Sequence, residues 1–376
     1  MSIRVRLATL LAIALLAAAC GSDSETDTAA SGSDSASASA SASGSGSASA
    51  SEPAEDDAME DEEAMEDDAM EDEDAMEDDA MEDDCSGNYT FESYSGPADI
   101  PRNPEKIAVF DLGMLTSFSE LGIPIDAEDG FASLGTPLPA EVEAVASVPQ
   151  SLGTAFEPDL EALNAMEPDL IVLASRSSRL YPDIVDLDIA PVVDLTSFDE
   201  AGTDFFEEFA RTHRHIGEIF CVQDEVESMI DDLQGQIDSI NAAAPAAGDA
   251  LVLVTTGAEV GAFGPGAFRF GQVFDTYGFT AADDSLARDE THGEPVSYEF
   301  IAEAEPEILF VVDRAAATGQ EGESAEAILD NALVNATPAA ENDKIFYVDS
   351  FDWYIVFNGI LGVQGFADDL AAAVGG

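Results

Sequence analysis

"EALNAMEPDLIVLASR" (161–176) and "EFIAEAEPEILFVVDR" (299–314) are two versions of one unit. Each opens on Glu, passes through Glu-Pro-acid and five apolar residues, and reaches Arg 15 positions after the first Glu. The proline marks a turn after a short helix, and an unbroken apolar run of this length reads as a parallel strand covered on both faces. A repeated helix–turn–strand unit predicts an α/β fold with two lobes of similar core.

Further strands flank each copy. "KIAVFD" (106–111) and "IAPVVDL" (189–195) belong to the first half, with a helix over 115–121; "ALVLVT" (250–255) and "KIFYVD" (344–349) belong to the second. Between the halves, Phe205, Phe209, Ile216, Ile219, Phe220, Val226, Ile230, Leu233, Ile237 and Ile240 recur at helical spacing. The pattern predicts one uninterrupted bridging helix over 204–243, a stiff spine between an N-terminal lobe (85–203) and a C-terminal lobe (244–376). His213 and His215, in "RTHRH" (211–215), read as exposed residues of that helix.

The chain has 12 Lys+Arg against 79 Asp+Glu, a net charge of −67. A field of that sign excludes general binding of nucleic acid and makes each retained arginine informative. A helix leading into a parallel strand runs antiparallel to it, so the unit's Glu and its Arg lie on one side of the lobe. Ligands of open α/β sheets bind beyond the carboxyl ends of strands, where Arg176 and Arg314 are expected, one per lobe. "AFGPGAFRFG" (262–271) adds Arg269 on a glycine-rich loop that lacks the register of nucleotide loops. Three guanidiniums on one cleft suit a multiply anionic ligand. No HExxH, CxxC or GxSxG occurs, so neither a protein-built zinc site nor a serine esterase is supported.

Arg4 and Arg6 precede an apolar run from Leu7 to Ala19, a signal peptide too short to span a membrane. Its ending "LLAAAC" (15–20) resembles a bacterial lipobox, which implies lipidation of Cys20 and anchoring on the outer face of the cell membrane. Residues 21–51 are almost all Ser, Ala and Gly, and 52–84 holds 21 acidic residues threaded by five copies of AMED. Such composition predicts a disordered, self-repelling spacer. Cys85 and Cys221 remain; an oxidising exterior permits a disulfide between them, and their spacing does not decide it.

"GPGAFRFG" (264–271), "THGEPVSYEFIAEAEPEILFVVDR" (291–314) and "KIFYVDSFDWY" (344–354) resemble the iron–siderophore-binding lipoproteins of bacterial ABC importers, nearest the enterobactin/petrobactin-binding branch. The resemblance runs from Tyr89 to the C-terminus. It implies two Rossmann-like lobes on one long helix, little closure, no catalysis, no intrinsic cofactor and a monomer. It makes Arg176, Arg269 and Arg314 the groups that embrace an anionic Fe(III)-siderophore of catecholate type. His292 and Tyr354 match iron ligands. Trp353, the only tryptophan, is either core or cleft floor, and its adjacency to Tyr354 favours the floor. Glu161 and Glu299 match the acids that dock on the ABC transporter permease. Heme, cobalamin or another chelate is the near alternative ligand; a structural surface lipoprotein with a cation-binding acidic tract is the remaining one.

Overall fold

In the computed structural model, residues 85–197, 204–286 and 293–375 are described. Cys20 and the predicted spacer over 21–84 lie outside them.

The N-terminal half begins with an antiparallel hairpin, β1 (Asn88–Ser93) and β2 (Gly96–Pro101). Five parallel strands follow: β3 (Ile107–Val109), β4 (Gly130–Ser133), β5 (Gln150–Thr154), β6 (Leu170–Leu173) and β7 (Val192–Asp194). Their order is β5-β4-β3-β6-β7, so the winding reverses between β3 and β6. The second half contains β8 (Asp249–Thr256), β9 (Glu259–Phe263), β10 (Thr280–Ala281), β11 (Glu294–Pro295), β12 (Ile308–Asp313) and β13 (Ile345–Tyr347). These are ordered β11-β9-β8-β12-β13, with β8, β12 and β13 mutually parallel and β10 alongside β8. The duplicated unit supplies β6 and β12, each paired with the first strand of its own sheet, β3 and β8. Both are buried along their apolar runs, as a strand covered on both faces must be.

The Glu-Pro-acid turn has the same construction twice. Glu167 and Glu305 adopt left-handed backbone, φ 52° and 47°, immediately before the proline. The acid after the proline then accepts from the amide that starts the neighbouring strand: Lys106 N to Asp169 Oδ2 at 3.0 Å, and Asp249 N to Glu307 Oε2 at 3.2 Å. Its own amide donates back to the same residue's carbonyl. This acid satisfies a strand-end donor that would otherwise be left to water.

The stretch between the lobes is not one uninterrupted helix. It forms Phe205–Phe220 and Gln223–Ala243, broken where Cys221 turns left-handed, φ 58°. Cys221 is disulfide-bonded to Cys85. The apolar spacing continues on both sides of the break, so periodicity alone does not reveal it. His213 is not exposed: it is fully buried, with Nδ1 2.9 Å from the Phe209 carbonyl oxygen and Nε2 3.1 Å from Ser117 Oγ. His215 is half-buried, stacked on Phe91 and 2.8 Å from the Tyr89 hydroxyl. One continuous apolar cluster, including Phe118, Phe220, Ile240, Phe310 and Phe366, joins both sheets to these helices.

Candidate functional site: an arginine cluster on one tyrosine

Arg176 follows β6 on a tight turn. Ser175 takes φ 50°, and its amide donates to Thr196 Oγ1 at 2.8 Å. Ser178 bonds the buried Asp194 carboxylate at the end of β7. Arg314 is the first residue of the helix Arg314–Thr318, whose N-cap Asp313 accepts from Ala316 N at 2.9 Å and from Ala325 N at 2.8 Å. Arg269 leaves a loop pinned by Gly266 N on Asp275 Oδ2 at 2.5 Å and by the buried Phe270 ring. Local backbone chemistry thus fixes each guanidinium's origin beyond the sheets, the two strand-end arginines at corresponding places in the two halves.

All three converge on Tyr354. Their guanidinium carbons lie 5.7 Å (Arg176), 4.9 Å (Arg269) and 5.7 Å (Arg314) from its ring centroid. The Phe357 ring lies 5.5 Å from Arg176 and 5.0 Å from Arg269. The negative faces of these rings partly offset the crowding of like charges. Arg314 Nε donates to the Tyr354 hydroxyl at 2.8 Å, while Arg176 donates to the carbonyl oxygens of Tyr354 (2.5 Å) and Ile355 (3.1 Å). Among the described residues no carboxylate lies within ion-pairing distance of any of the three. Arg269 Nε and Nη1 are buried with no hydrogen-bond partner there either. Burial, and then the neighbouring Arg176, lowers the Arg269 guanidinium to about 10. Burial likewise lowers Arg176, opposed by the Asp111 carboxylate. A desolvated cluster of this kind gains stability from any anion that supplies acceptors.

Tyr354 is held by a wide π-helical turn, Phe351–Ile355, in which Val356 N reaches back to Phe351 O at 3.2 Å. Insertions of this geometry are frequent at functional sites. The same turn sends Trp353 the other way. Trp353 is 1% exposed, stacked on Phe366 at 3.6 Å, with its indole N–H on Asp369 Oδ2 at 2.8 Å. It belongs to the C-terminal core and does not floor the cleft. His292 lies outside the described residues. Glu161 and Glu299 are both exposed, each the second residue of its helix, Leu160–Met166 and Tyr298–Glu303. A cavity of about 540 Å³ opens beside Arg314, lined also by Val260, Val296, Tyr298 and Glu299. Phe357 was not singled out from sequence; its signal was its place three residues after Tyr354, just beyond the π-helical turn.

Residues 134–350 match the family described as periplasmic binding protein. The chain belongs to that family. Periplasmic binding proteins similar to it include the petrobactin-binding protein YclQ of Bacillus subtilis, 31% identical over 264 residues covering 69% of this chain and 80% of YclQ. The ferric-anguibactin-binding protein FatB of Vibrio anguillarum is 27% identical over 73% of this chain and 84% of its own. Among solved structures, YclQ superposes with a TM-score of 0.69 at 28% identity, covering 76% of this chain and 98% of YclQ. The catecholate-siderophore-binding protein VctP of Vibrio cholerae gives 0.69 at 27% identity, covering 76% and 99%. Two lobes with parallel sheets at their centres are therefore the family architecture as well as the observed one.

Proposed function

We propose that this periplasmic binding protein captures an anionic Fe(III)-siderophore of catecholate type outside the cell and delivers it to an ABC importer. The observation that carries the reading is the cluster on Tyr354: three guanidiniums, no carboxylate partner among the described residues, in a chain of net charge −67. Long-range attraction cannot bring an anion to such a protein, so short-range hydrogen bonds to the ligand's oxygens must supply recognition. The ligands in the names of YclQ, FatB and VctP agree with that chemistry.

In this reading Arg269 and Arg314 donate to the chelate's anionic oxygens, with Arg176 adding charge from the other lobe. Tyr354 and His292 offer phenol oxygen and imidazole to Fe(III) where the chelator leaves positions open, a donor set that suits a hard trivalent ion. Glu161 and Glu299 meet basic residues of the permease, and lipid on Cys20 holds the protein at the membrane. The family is one of substrate-binding transport proteins.

The test is a titration of the full chain with ferric catecholate, citrate and hydroxamate complexes, with hemin and cobalamin as controls, read by fluorescence of Trp353. The expected result is saturable quenching by a ferric catecholate, weakened about 10- to 100-fold in Arg269→Ala and Arg314→Ala, the size of one lost charge-assisted hydrogen bond. Flat curves with every iron chelate would end the reading.

A further inference from the structure

The segment Tyr354–Ile360 belongs to the C-terminal half by sequence, yet three side chains of the N-terminal lobe hold it at successive points. Arg176 donates to the carbonyls of Tyr354 (2.5 Å) and Ile355 (3.1 Å) at its start. Asp111 Oδ1 accepts from Asn358 Nδ2 at 3.0 Å in its middle. Ser117 Oγ accepts from Ile360 N at 3.0 Å at its end, and Ser117 is itself bonded to the buried His213. Between these grips the two backbones touch. A Cβ on Gly359 would fall 2.3 Å from the Gly113 carbonyl oxygen, and one on Gly113 would fall 2.4 Å from Asn358 Oδ1. The two glycines leave room for one backbone to lie directly on the other.

The same segment carries Tyr354 and Phe357, the rings over which Arg269 and Arg314 are arranged. The carbonyls of Tyr354 and Ile355 come at the end of the π-helical turn, where backbone acceptors lack an internal partner, and a cation at that end is doubly favourable. Arg176 therefore has both terminal nitrogens committed to the backbone of the other lobe, whereas Arg269 has buried donors without a partner among the described residues.

We infer that Tyr354–Ile360 is a strap clamped by Arg176, Asp111 and Ser117, and that Arg176 and Asp111 are positioning residues for the ligand site. They set chelate affinity by holding the aromatic seat in place rather than by contacting the chelate. This rests on the reading of the cluster as the ligand site.

Hydrogen exchange of the ligand-free full-length protein tests the clamp without any chelate. Arg176→Ala and Asp111→Ala should each accelerate exchange of the amides in 354–360 about tenfold or more, the scale of a lost hydrogen bond to a charged group. Arg269→Ala should leave those amides unchanged. Arg176→Lys keeps the charge but cannot span both carbonyls, and serves if the alanine variant fails to fold; it too should loosen the segment. Ferric tris-catecholate affinity should fall in both clamp variants, and by less than the product of the two effects when they are combined, because both act through one segment.

Unchanged exchange in Arg176→Ala and Arg176→Lys, with affinity lost, would overturn the inference and make Arg176 a direct ligand contact. Faster exchange with unchanged affinity would overturn the positioning role. Should no iron chelate bind the wild-type protein, the siderophore reading fails on that result, while the exchange data still uphold or refute the clamp.

Discussion

Arg314 Nε donates to the Tyr354 hydroxyl oxygen at 2.8 Å. The contact fixes the phenol oxygen at the centre of the arginine cluster, and oxygen of this kind is a donor that suits a hard metal ion. Tyr354→Phe keeps the ring that the three arginines share and removes the oxygen. We predict that protein loaded with a coordinatively unsaturated ferric chelate shows a visible tyrosinate-to-iron absorption that this variant lacks. Identical spectra would remove Tyr354 from the iron ligands and leave it as the seat of the cluster alone.

His213 makes stability depend on pH. Burial lowers its imidazole from 6.5 to about 4, so between those values the unfolded chain binds more protons than the folded one. The contribution is complete above pH 6.5 and is lost as pH falls toward 4, amounting to about 3 kcal/mol. Asp352 acts oppositely. Burial and then the Asp349 carboxylate raise it from 3.8 to about 7, so its contribution falls as pH rises through that range. Urea unfolding at pH 7.5 and pH 5, compared between wild type and His213→Gln, isolates the histidine. The variant should lose less stability on acidification, and equal losses would refute the assignment.

The Cys85–Cys221 bridge closes a loop across a separation of 136 residues. Loop-closure entropy gives such a bond a contribution of roughly 3–5 kcal/mol. The double substitution Cys85→Ser, Cys221→Ser should lower the denaturation midpoint accordingly, and reductant should do the same to the wild type. Coincident unfolding curves with and without reductant would show that the bridge is dispensable.

Glu161 and Glu299 are both exposed at the starts of their helices, and Glu299 also lines the cavity beside Arg314. Reversal to Lys at both positions should leave chelate binding within about twofold, since exposed charges couple weakly. Uptake by cells carrying the cognate importer should nonetheless fall at least tenfold. Normal uptake by the doubly reversed protein would reject the docking role.

The duplicated unit was readable because its signals are local. An apolar run bounded by a proline turn and a rare arginine needs no knowledge of distant residues, and β6, β12, Arg176 and Arg314 follow from it. The strap was not readable. Asp111 and Asn358 are 247 positions apart, Ser117 and Ile360 are 243 apart, and no periodicity links them. Trp353 was misplaced because neighbours in a tight turn point in different directions, so adjacency to Tyr354 carried no information about which side it faces. His213 was misplaced because polarity suggested exposure, whereas Ser117 and the Phe209 carbonyl satisfy it within the core. The break at Cys221 was hidden by apolar spacing that continues through it.

The cystine also decides where a mechanical load would travel. Tension applied ahead of Cys85 crosses the sulfur bridge to Cys221 and enters the protein between its two bridging helices. The hairpin β1–β2 and the whole N-terminal sheet lie on the slack side of that shunt. A protein pulled from its N-terminal end would therefore be gripped by its backbone axis, with the first strands spared from peeling.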